Sequence, residues 1–367
     1  MDSGSERMAP EDALVPRHTQ QEPFDIGRDL LCTTDASGYF TTLNAGWERL
    51  LGWTRDELMA RPFIEFVHPD DVERTAGAAA KVTSPDYELV DFENRYLHRD
   101  GTWRWLQWSA RSDGEMWFAL AFDITERKET EARLRRVLTD EFLLAYSQPI
   151  VDHLGIRAQE ELLVRMREPS GNGDVIGPED FVPDAERTGL IGVVDRWMAR
   201  QGVAVAGSGR VADVNLSGSS IGDEDVTAAI AVDLEAAGDG ARRVIFEITE
   251  TAAIENLDAA CAFTDRLGEL GCRFALDDFG TGFGSVTYLR RLPVDYLKID
   301  SSFVRDASRS PEDRAVIRAI VAMARELGAQ TVAEGIEDSE TLALLRDCGV
   351  DYCQGYLLGR PAPLPAA

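Results

Sequence analysis

Three things are scarce in this sequence, and each scarcity excludes something. The chain of 367 residues has five cysteines, Cys32, Cys261, Cys272, Cys348 and Cys353, an odd number with no CxxC pair and no zinc spacing. A disulfide framework is therefore not expected, and a reducing, cytoplasmic setting is. Long apolar runs are also missing. No stretch approaches the ~20 residues of a membrane span. The most apolar helical segment, Ala315 to Ala329, is interrupted by Arg318, Arg325 and Glu326, and the N-terminus has no apolar core of the kind a secretory signal needs. Basic charge is the third shortage: 38 Lys and Arg stand against 65 Asp and Glu, for a net charge of -27. Such a chain lacks the clustered cations that hold DNA or RNA by their phosphates, or an anionic membrane surface. Some of the surplus carboxylates are expected to sit together because a cation belongs between them.

What is present divides the chain. Residues 1–23 are polar, carry Pro10, Pro16 and Pro23, and read as a disordered tail. Six of the seven tryptophans, Trp47, Trp53, Trp103, Trp105, Trp108 and Trp117, lie in the next stretch, which marks a separate domain of mixed α and β pattern. Leu30 to Thr34 and Tyr39 to Leu43 predict strands around the turn Asp35-Ala36-Ser37-Gly38, with Asn44 capping a helix from Ala45 to Gly52. Asp100-Gly101 between Phe92–His98 and Thr102–Ala110 is a strong hairpin signal, and Met116–Asp123 predicts a further strand.

The strings DASGYFTTLNAGWERLLGWTRDEL, FVHPDD, HRDGTWRWLQWSA and AFDITERK follow one another in residues 24–127, and together they resemble a PAS sensor domain. The resemblance implies a five-stranded antiparallel sheet with helices on one face, an α+β unit that holds a small ligand or none. His68 and His98 have the chemistry of haem ligands, but His68 lies in the HPDD turn, where capping explains it better. Cys32 falls on a predicted strand, not in the helical motif that a flavin adduct requires. Residues 128–142 are expected to be a helical signalling linker. Ile124, Glu131 and Leu138 recur every seven residues with Leu134 between them, a short heptad seam if they face a partner helix and a solvated connector if they do not.

From residue 143 the pattern becomes strand, helix, strand, helix, which points to an α/β barrel of the TIM type. Glu161, Asn215, Glu247, Asp277, Asp278, Lys298, Glu334 and Gln354 stand at the ends of predicted strands. In a parallel barrel those ends converge on one face. Carboxylates gathered there repel unless neutralised. Oxygen donors without His or Cys select Mg²⁺ or Mn²⁺, and adjacent Asp277 and Asp278 suit a two-ion site for displacement at phosphorus.

The motifs YSQPIVD, ELLVR, DVNLS, FEITE, ALDDFGTGFGS, LKID, VAEGIE and QGYLLGRP appear in order over residues 143–363, and they resemble an EAL-domain phosphodiesterase, the class that linearises cyclic di-GMP to pGpG. The resemblance implies a modified TIM barrel whose first strand runs antiparallel, and it assigns roles. Glu161, Asn215, Glu247 and Asp277 match the ligands of one metal. Asp278 and Glu334 match those of a second, with Asp277 bridging. Lys298 matches the lysine near the attacking water. Arg165 matches the arginine that holds a substrate phosphate, while Gln148, Gln354 and Glu337 match groups lining the nucleotide site. Glu250 and the loop Phe279, Gly280, Thr281, Gly282, Phe283, Gly284 and Ser285 match the element that couples a dimer interface to the metals. Phe283 and Gly284 depart from the usual DFGTGYSS. The expected protein is thus a cytoplasmic homodimer that hydrolyses cyclic di-GMP under control of its sensor domain, the alternative being a catalytically weak module that binds cyclic di-GMP as a receptor.

Overall fold

The computed structural model describes residues 29–82, 87–139, 141–168, 173–281 and 286–364. The tail expected over residues 1–23 lies outside them. The chain divides into two compact units, Met1–Glu129 and Thr130–Ala367.

The first unit is a sheet of five strands, β1 (Leu30–Asp35), β2 (Phe40–Leu43), β3 (Glu88–Leu97), β4 (Trp103–Ser112) and β5 (Met116–Asp123), in the order β2-β1-β5-β4-β3 with every pairing antiparallel. Strand periodicity decides which side chains enter the core. Leu30 and Cys32 of β1 and Leu106 and Trp108 of β4 are buried on one face. There they meet Trp47 and Leu51 of α1 (Gly46–Leu51) and Leu58 of α2 (Arg55–Met59). With α3 (Val72–Val82) these helices leave a small apolar cavity of about 60 Å³ lined by Cys32, Phe40, Asn94 and Trp108 among others.

The predicted hairpin forms, with Leu97 opposite Trp103 and Gly101 at φ +90°. His68 and His98 both use Nδ1 to accept backbone N–H groups, from Asp70 at 3.1 Å and Asp100 at 3.2 Å. Both serve turns, which for His68 is what the capping argument expects. Asn44 departs from expectation. The helix starts one residue later with Ala45 as its N-cap, and the Asn44 side chain accepts from Leu31 N–H at 3.2 Å and donates to Asp29 at 2.8 Å. It stitches the helix approach to the first strand instead of capping.

A helix, α4 (Thr125–Val137), crosses the division between the units. Its Leu134 and Val137, with Leu138 just beyond, are buried in the hydrophobic core of the second unit. The apolar spacing read as a heptad seam therefore docks the helix end onto its own barrel, and those leucines are not a free face for a partner.

The second unit closes a barrel of eight strands: β6 (Leu143–Asp152), β7 (Arg157–Arg167), β9 (Ala212–Leu216), β10 (Val244–Thr249), β11 (Arg273–Phe279), β12 (Tyr296–Ile299), β13 (Gln330–Ala333) and β14 (Tyr352–Gln354). Two short strands, β8 (Val175–Ile176) and β15 (Ala362–Pro363), add to β7 and β6. Strands β7 and β9 to β14 run parallel, whereas β6 is antiparallel to both β7 and β14. The antiparallel first strand is the one the resemblance implied. Helices between strands carry the outer apolar layer. Among them are α5 (Val182–Arg187), α6 (Ile191–Gly207), α7 (Gly218–Ile221), α8 (Glu224–Ala237), α9 (Glu250–Glu255), α10 (Leu257–Gly268), α11 (Ser301–Arg305), α12 (Pro311–Leu327) and α13 (Ser339–Cys348). Pro311 occupies the first helical turn of α12 behind the Ser310 cap, and Gly328 ends it at φ +76°, as the sequence signals predict.

One outer-layer acid has a measurable consequence. Asp195 on α6 is 5% exposed and accepts from Ser217 N–H at 3.0 Å. Burial pushes its carboxyl up to about 6 from the ordinary 3.8. The folded chain therefore holds this proton more tightly than the unfolded chain does. The associated stability is full below pH ~4 and is lost as pH rises through about 6. Asp195→Asn keeps an acceptor for Ser217 without the buried charge. It is expected to stabilise the protein at pH 7.5 by roughly 1–3 kcal/mol relative to wild type, with the difference vanishing near pH 4. Denaturant titrations of both proteins across that range check this; a constant difference sinks it.

Candidate metal centre and its cavity

The barrel interior collects polar residues through register and parity. Gln148 on β6 lies opposite Glu161 on β7. Asn215 on β9 is level with Glu247 on β10, and Thr249 at the end of that strand is level with Asp277 on β11. Lys298 on β12 is level with Val332 on β13, just before Glu334, and Gln354 ends β14. Strand β10 reads Val-Ile-Phe-Glu-Ile-Thr, and Glu247 is as buried as its apolar neighbours. An acid in that position needs a partner.

Its partner is Lys298, itself 1% exposed. The Lys298 ammonium Nζ lies 2.6 Å from Glu334 Oε1, 2.7 Å from Glu247 Oε2, 3.2 Å from Asp277 Oδ1 and 3.8 Å from Glu161 Oε1. Four carboxylates share one ammonium, so the cluster remains in negative surplus. Burial pushes Glu334 up to about 8 and holds Glu247 well above the usual carboxylate range. Burial alone would raise Glu161 too, but the Lys298 ammonium and hydrogen bonds from Gln354 and Asn215 keep it below. Lys298 is desolvated, which opposes its charge, yet the surrounding carboxylates outweigh that and hold it well above the ordinary lysine value.

The amides are arranged around the same acids. Asn215 Nδ2 donates to Glu161 Oε1 at 2.7 Å, and Gln354 Nε2 donates to Glu161 Oε2 at 2.6 Å and to Gln148 Oε1 at 3.2 Å. Gln148 Nε2 donates to the carbonyl of Gly359 at 2.9 Å.

Asp277 and Asp278 present a geometric difficulty that the backbone resolves. Neighbours on a regular strand face opposite ways. Here three steps along β11, from Leu276 to Phe279, match two along β12, from Leu297 to Ile299. The extra residue makes a bulge, and Asp278 adopts φ +55°, a left-handed conformation that Asp tolerates better than most residues. As a result Asp277, Asp278 and Glu334 each bring a carboxylate oxygen within 4.8 Å of the others. Glu247 Oε1 and Asp277 Oδ1 are buried and accept no hydrogen bond. Clustered oxygen donors, buried acceptors without hydrogen bonds and surplus negative charge fit a hard divalent cation.

Beside the cluster lies a cavity of about 360 Å³ whose lining includes Gln148, Glu161, Asp277, Glu334, Glu337 and Gln354. Glu337 is exposed at its rim. Arg165 is not brought into this lining. It follows Glu161 by four on β7, lies over the Tyr146 ring at 5.4 Å and donates to the Val164 carbonyl at 2.8 Å. Of the loop after β11, Phe279 is buried. The N–H of Gly280 donates to Glu250 Oε2 at 3.0 Å, and Tyr288 donates its hydroxyl proton to Glu250 Oε1 at 2.9 Å. Gly280 sits at φ +100° with the Phe303 ring 3.0 Å from where a Cβ would lie, so glycine is required twice over. Thr281 donates to the Asp278 carbonyl at 3.0 Å. Gly282, Phe283, Gly284 and Ser285 lie outside the described residues.

Sequence reasoning missed two residues. Asp213, two before Asn215 and level with Glu161, is fully buried and pushed up to about 8 by that burial. Strand parity alone would have placed it inside. Arg305 lines the cavity from α11, and nothing in its local sequence separates it from a solvated helix residue.

A sequence model described as the EAL domain matches residues 130–361, and one described as the PAS fold matches residues 40–116. The cyclic di-GMP phosphodiesterase NbdA of Pseudomonas aeruginosa is 39% identical over 250 residues, covering 66% of this chain and 32% of the relative. The cyclic di-GMP phosphodiesterase PdeB of Shewanella oneidensis is 37% identical over 240 residues, covering 63% and 28%. This chain therefore spans about a third of the length of the curated relatives it matches. Among solved structures, the PaMucR phosphodiesterase in complex with c-di-GMP aligns with a TM-score of 0.59 at 32% identity, over 64% of this chain and 98% of that one. The FimX EAL domain from Pseudomonas aeruginosa bound to c-di-GMP aligns at 0.60 and 28% identity, over 64% and 96%.

Proposed function

We propose, because this chain belongs to the EAL-domain family, that it is a phosphodiesterase that opens cyclic di-GMP to linear pGpG. The observation that carries the reading is the buried Lys298 ammonium among Glu161, Glu247, Asp277 and Glu334, beside the carboxylate triad of Asp277, Asp278 and Glu334. Relatives whose names state this activity match 63–66% of this chain.

Glu161, Asn215, Glu247 and Asp277 would hold one divalent ion, and Asp278 and Glu334 a second, with Asp277 between them. Mg²⁺ or Mn²⁺ bound there supplies neutralising charge and Lewis acidity for displacement at phosphorus. The protein's own groups do the rest. Lys298 Nζ offers its protons to the attacking water and orients its oxygen toward phosphorus. Gln354 and Gln148 brace Glu161 through their amide chain, and Gln354 Oε1, buried and without a donor, is free to accept from the substrate. Glu337 contacts the nucleotide at the rim, and Arg165 reaches a substrate phosphate only by leaving the Tyr146 ring and the Val164 carbonyl. The water oxygen forms the new bond to phosphorus, the 3′ oxygen leaves, and the proton released by the water ends on that oxygen.

We extend the reading to regulation. The PAS unit, residues 24–127, acts through the 128–142 linker and the Glu250–Gly280 contact on a cytoplasmic homodimer. The test is turnover by the purified chain. Cyclic di-GMP is converted to pGpG with Mg²⁺ or Mn²⁺ and is untouched in EDTA; binding without turnover under both metals overturns the enzyme reading. In the same assay, specific activity that rises with chain concentration reports the dimer, and a change on loading the first-unit cavity reports coupling. Flat responses sink those two clauses.

A further inference from the structure

We propose that Arg305 binds the phosphate that is not cleaved, making the cavity beside the metal centre a site for a substrate with two phosphodiesters. This rests on the phosphodiesterase reading above. A cyclic dinucleotide carries two anionic diesters on one ring. The one that reacts must lie at Asp277, Asp278 and Glu334. The other is carried into a cavity whose walls include Glu161, Glu334 and Glu337, and it needs a counter-charge of its own. Lys298 lies among carboxylates and, on the reading above, serves the attacking water at the other phosphate. Among the described residues that line the cavity, Arg305 is the single cation.

Its position is built in. Asp300 caps α11 directly after β12, accepting from Ser302 N–H at 2.9 Å. Gly335, the residue after Glu334, stands at φ +70° with Ser301 Cβ 2.7 Å from where its own Cβ would be. Only glycine lets the Glu334 loop press against the first residue of α11, and that contact fixes the helix relative to Glu334. Arg305 Nη2 donates to Ser301 Oγ at 3.1 Å, which draws the guanidinium back along the helix toward the cavity that Ser301 also lines. A guanidinium has five N–H donors in a planar fork. Those not used by Ser301 match two oxygens of one phosphate, a pairing that lysine cannot copy.

The test compares full-length wild type, Arg305→Ala and Arg305→Lys on cyclic di-GMP and on bis(p-nitrophenyl) phosphate, a diester with one phosphorus. For Arg305→Ala, KM for cyclic di-GMP is expected to rise ~10–100-fold with kcat changed far less, the range for one charge-assisted hydrogen-bonded pair. The preference for cyclic di-GMP over the single-phosphate diester, as a ratio of kcat/KM, falls by the same factor. Arg305→Lys lies between. An unchanged KM, or a loss shared equally by both substrates at a lowered melting temperature, overturns the proposal and leaves the phosphodiesterase reading standing. If wild type binds cyclic di-GMP without cleaving it, the same 10–100-fold is sought in Kd. If wild type neither binds nor cleaves it, both readings fall.

Discussion

Asp277→Asn is expected to cut turnover about a thousandfold while making the metal-free protein more stable. Asp277, like Glu334, belongs both to the Lys298 cluster and to the carboxylate triad, and of the two it is the one proposed to stand between both ions. A ligand placed between two cations supports both, and such ions supply several kcal/mol of charge stabilisation in the transition state. At 1.36 kcal/mol per factor of ten, kcat should drop roughly 10³-fold. Stability moves the other way. Asp277 Oδ1 is buried without a hydrogen bond, and Lys298 keeps Glu247 and Glu334 within 2.7 Å when Asp277 loses its charge. Removing one of four carboxylates from a single ammonium relieves repulsion, for a gain of about 1 kcal/mol and a melting temperature 2–4 °C higher in EDTA. Cyclic di-GMP turnover and melting curves on the same preparations check both signs. A variant that is inactive and less stable would mean that Asp277 is structural. One that remains active would remove it from the metal site.

The reasons that some of this was legible in the sequence and some was not are physical. Glu247 stands out because the strand Val244–Thr249 is otherwise apolar or β-branched, and a lone acid in a buried parallel strand demands an explanation. Asn215, Lys298 and Gln354 are visible for the same reason at neighbouring strand ends. Asp278 was identified by chemistry, but strand parity would have turned it away; only the bulge and its positive φ bring it round. Arg305 was invisible because a cation on a five-residue helix looks solvated until the Gly335–Ser301 contact seats that helix on the cavity. The spacing of Leu134 and Leu138 was ambiguous for a different reason. Apolar residues three to four apart mark a helix face, and the pattern is the same whether that face meets a second chain or the chain's own barrel. Arg165 lies on the strand with Glu161 but is held at Tyr146 and Val164. A motif fixes the position of a residue along the strand more firmly than the reach of a long side chain.

The complementary substitution, Lys298→Met, should be severely destabilising without metal, and a divalent cation should recover much of the loss. Methionine fills a similar volume, so the main change is the ammonium. Its removal leaves Glu161 and Glu247 buried, and Asp277 and Glu334 half-buried, with no cation among them. Breaking a buried pair by deleting one partner costs about 3–5 kcal/mol because the remaining charge is uncompensated. For a unit of this size that is a fall in melting temperature on the order of 10 °C in EDTA. Mg²⁺ or Mn²⁺ acts on both proteins by mass action, contributing about 2.7 kcal/mol at a hundredfold excess over Kd. The size of that shift discriminates. In wild type the ammonium already occupies the attention of the carboxylates, so an incoming cation must compete with it. In Lys298→Met the cation meets them unopposed. The metal-induced rise in melting temperature should therefore be larger in the variant than in wild type, while turnover remains low because no ammonium is left to orient the water. If the variant can be recovered only with metal, unfolding triggered by chelator reads the same quantity. Equal metal-induced shifts in the two proteins would show that the lysine and the cation do not share these carboxylates, and the proposed metal site would have to be placed elsewhere.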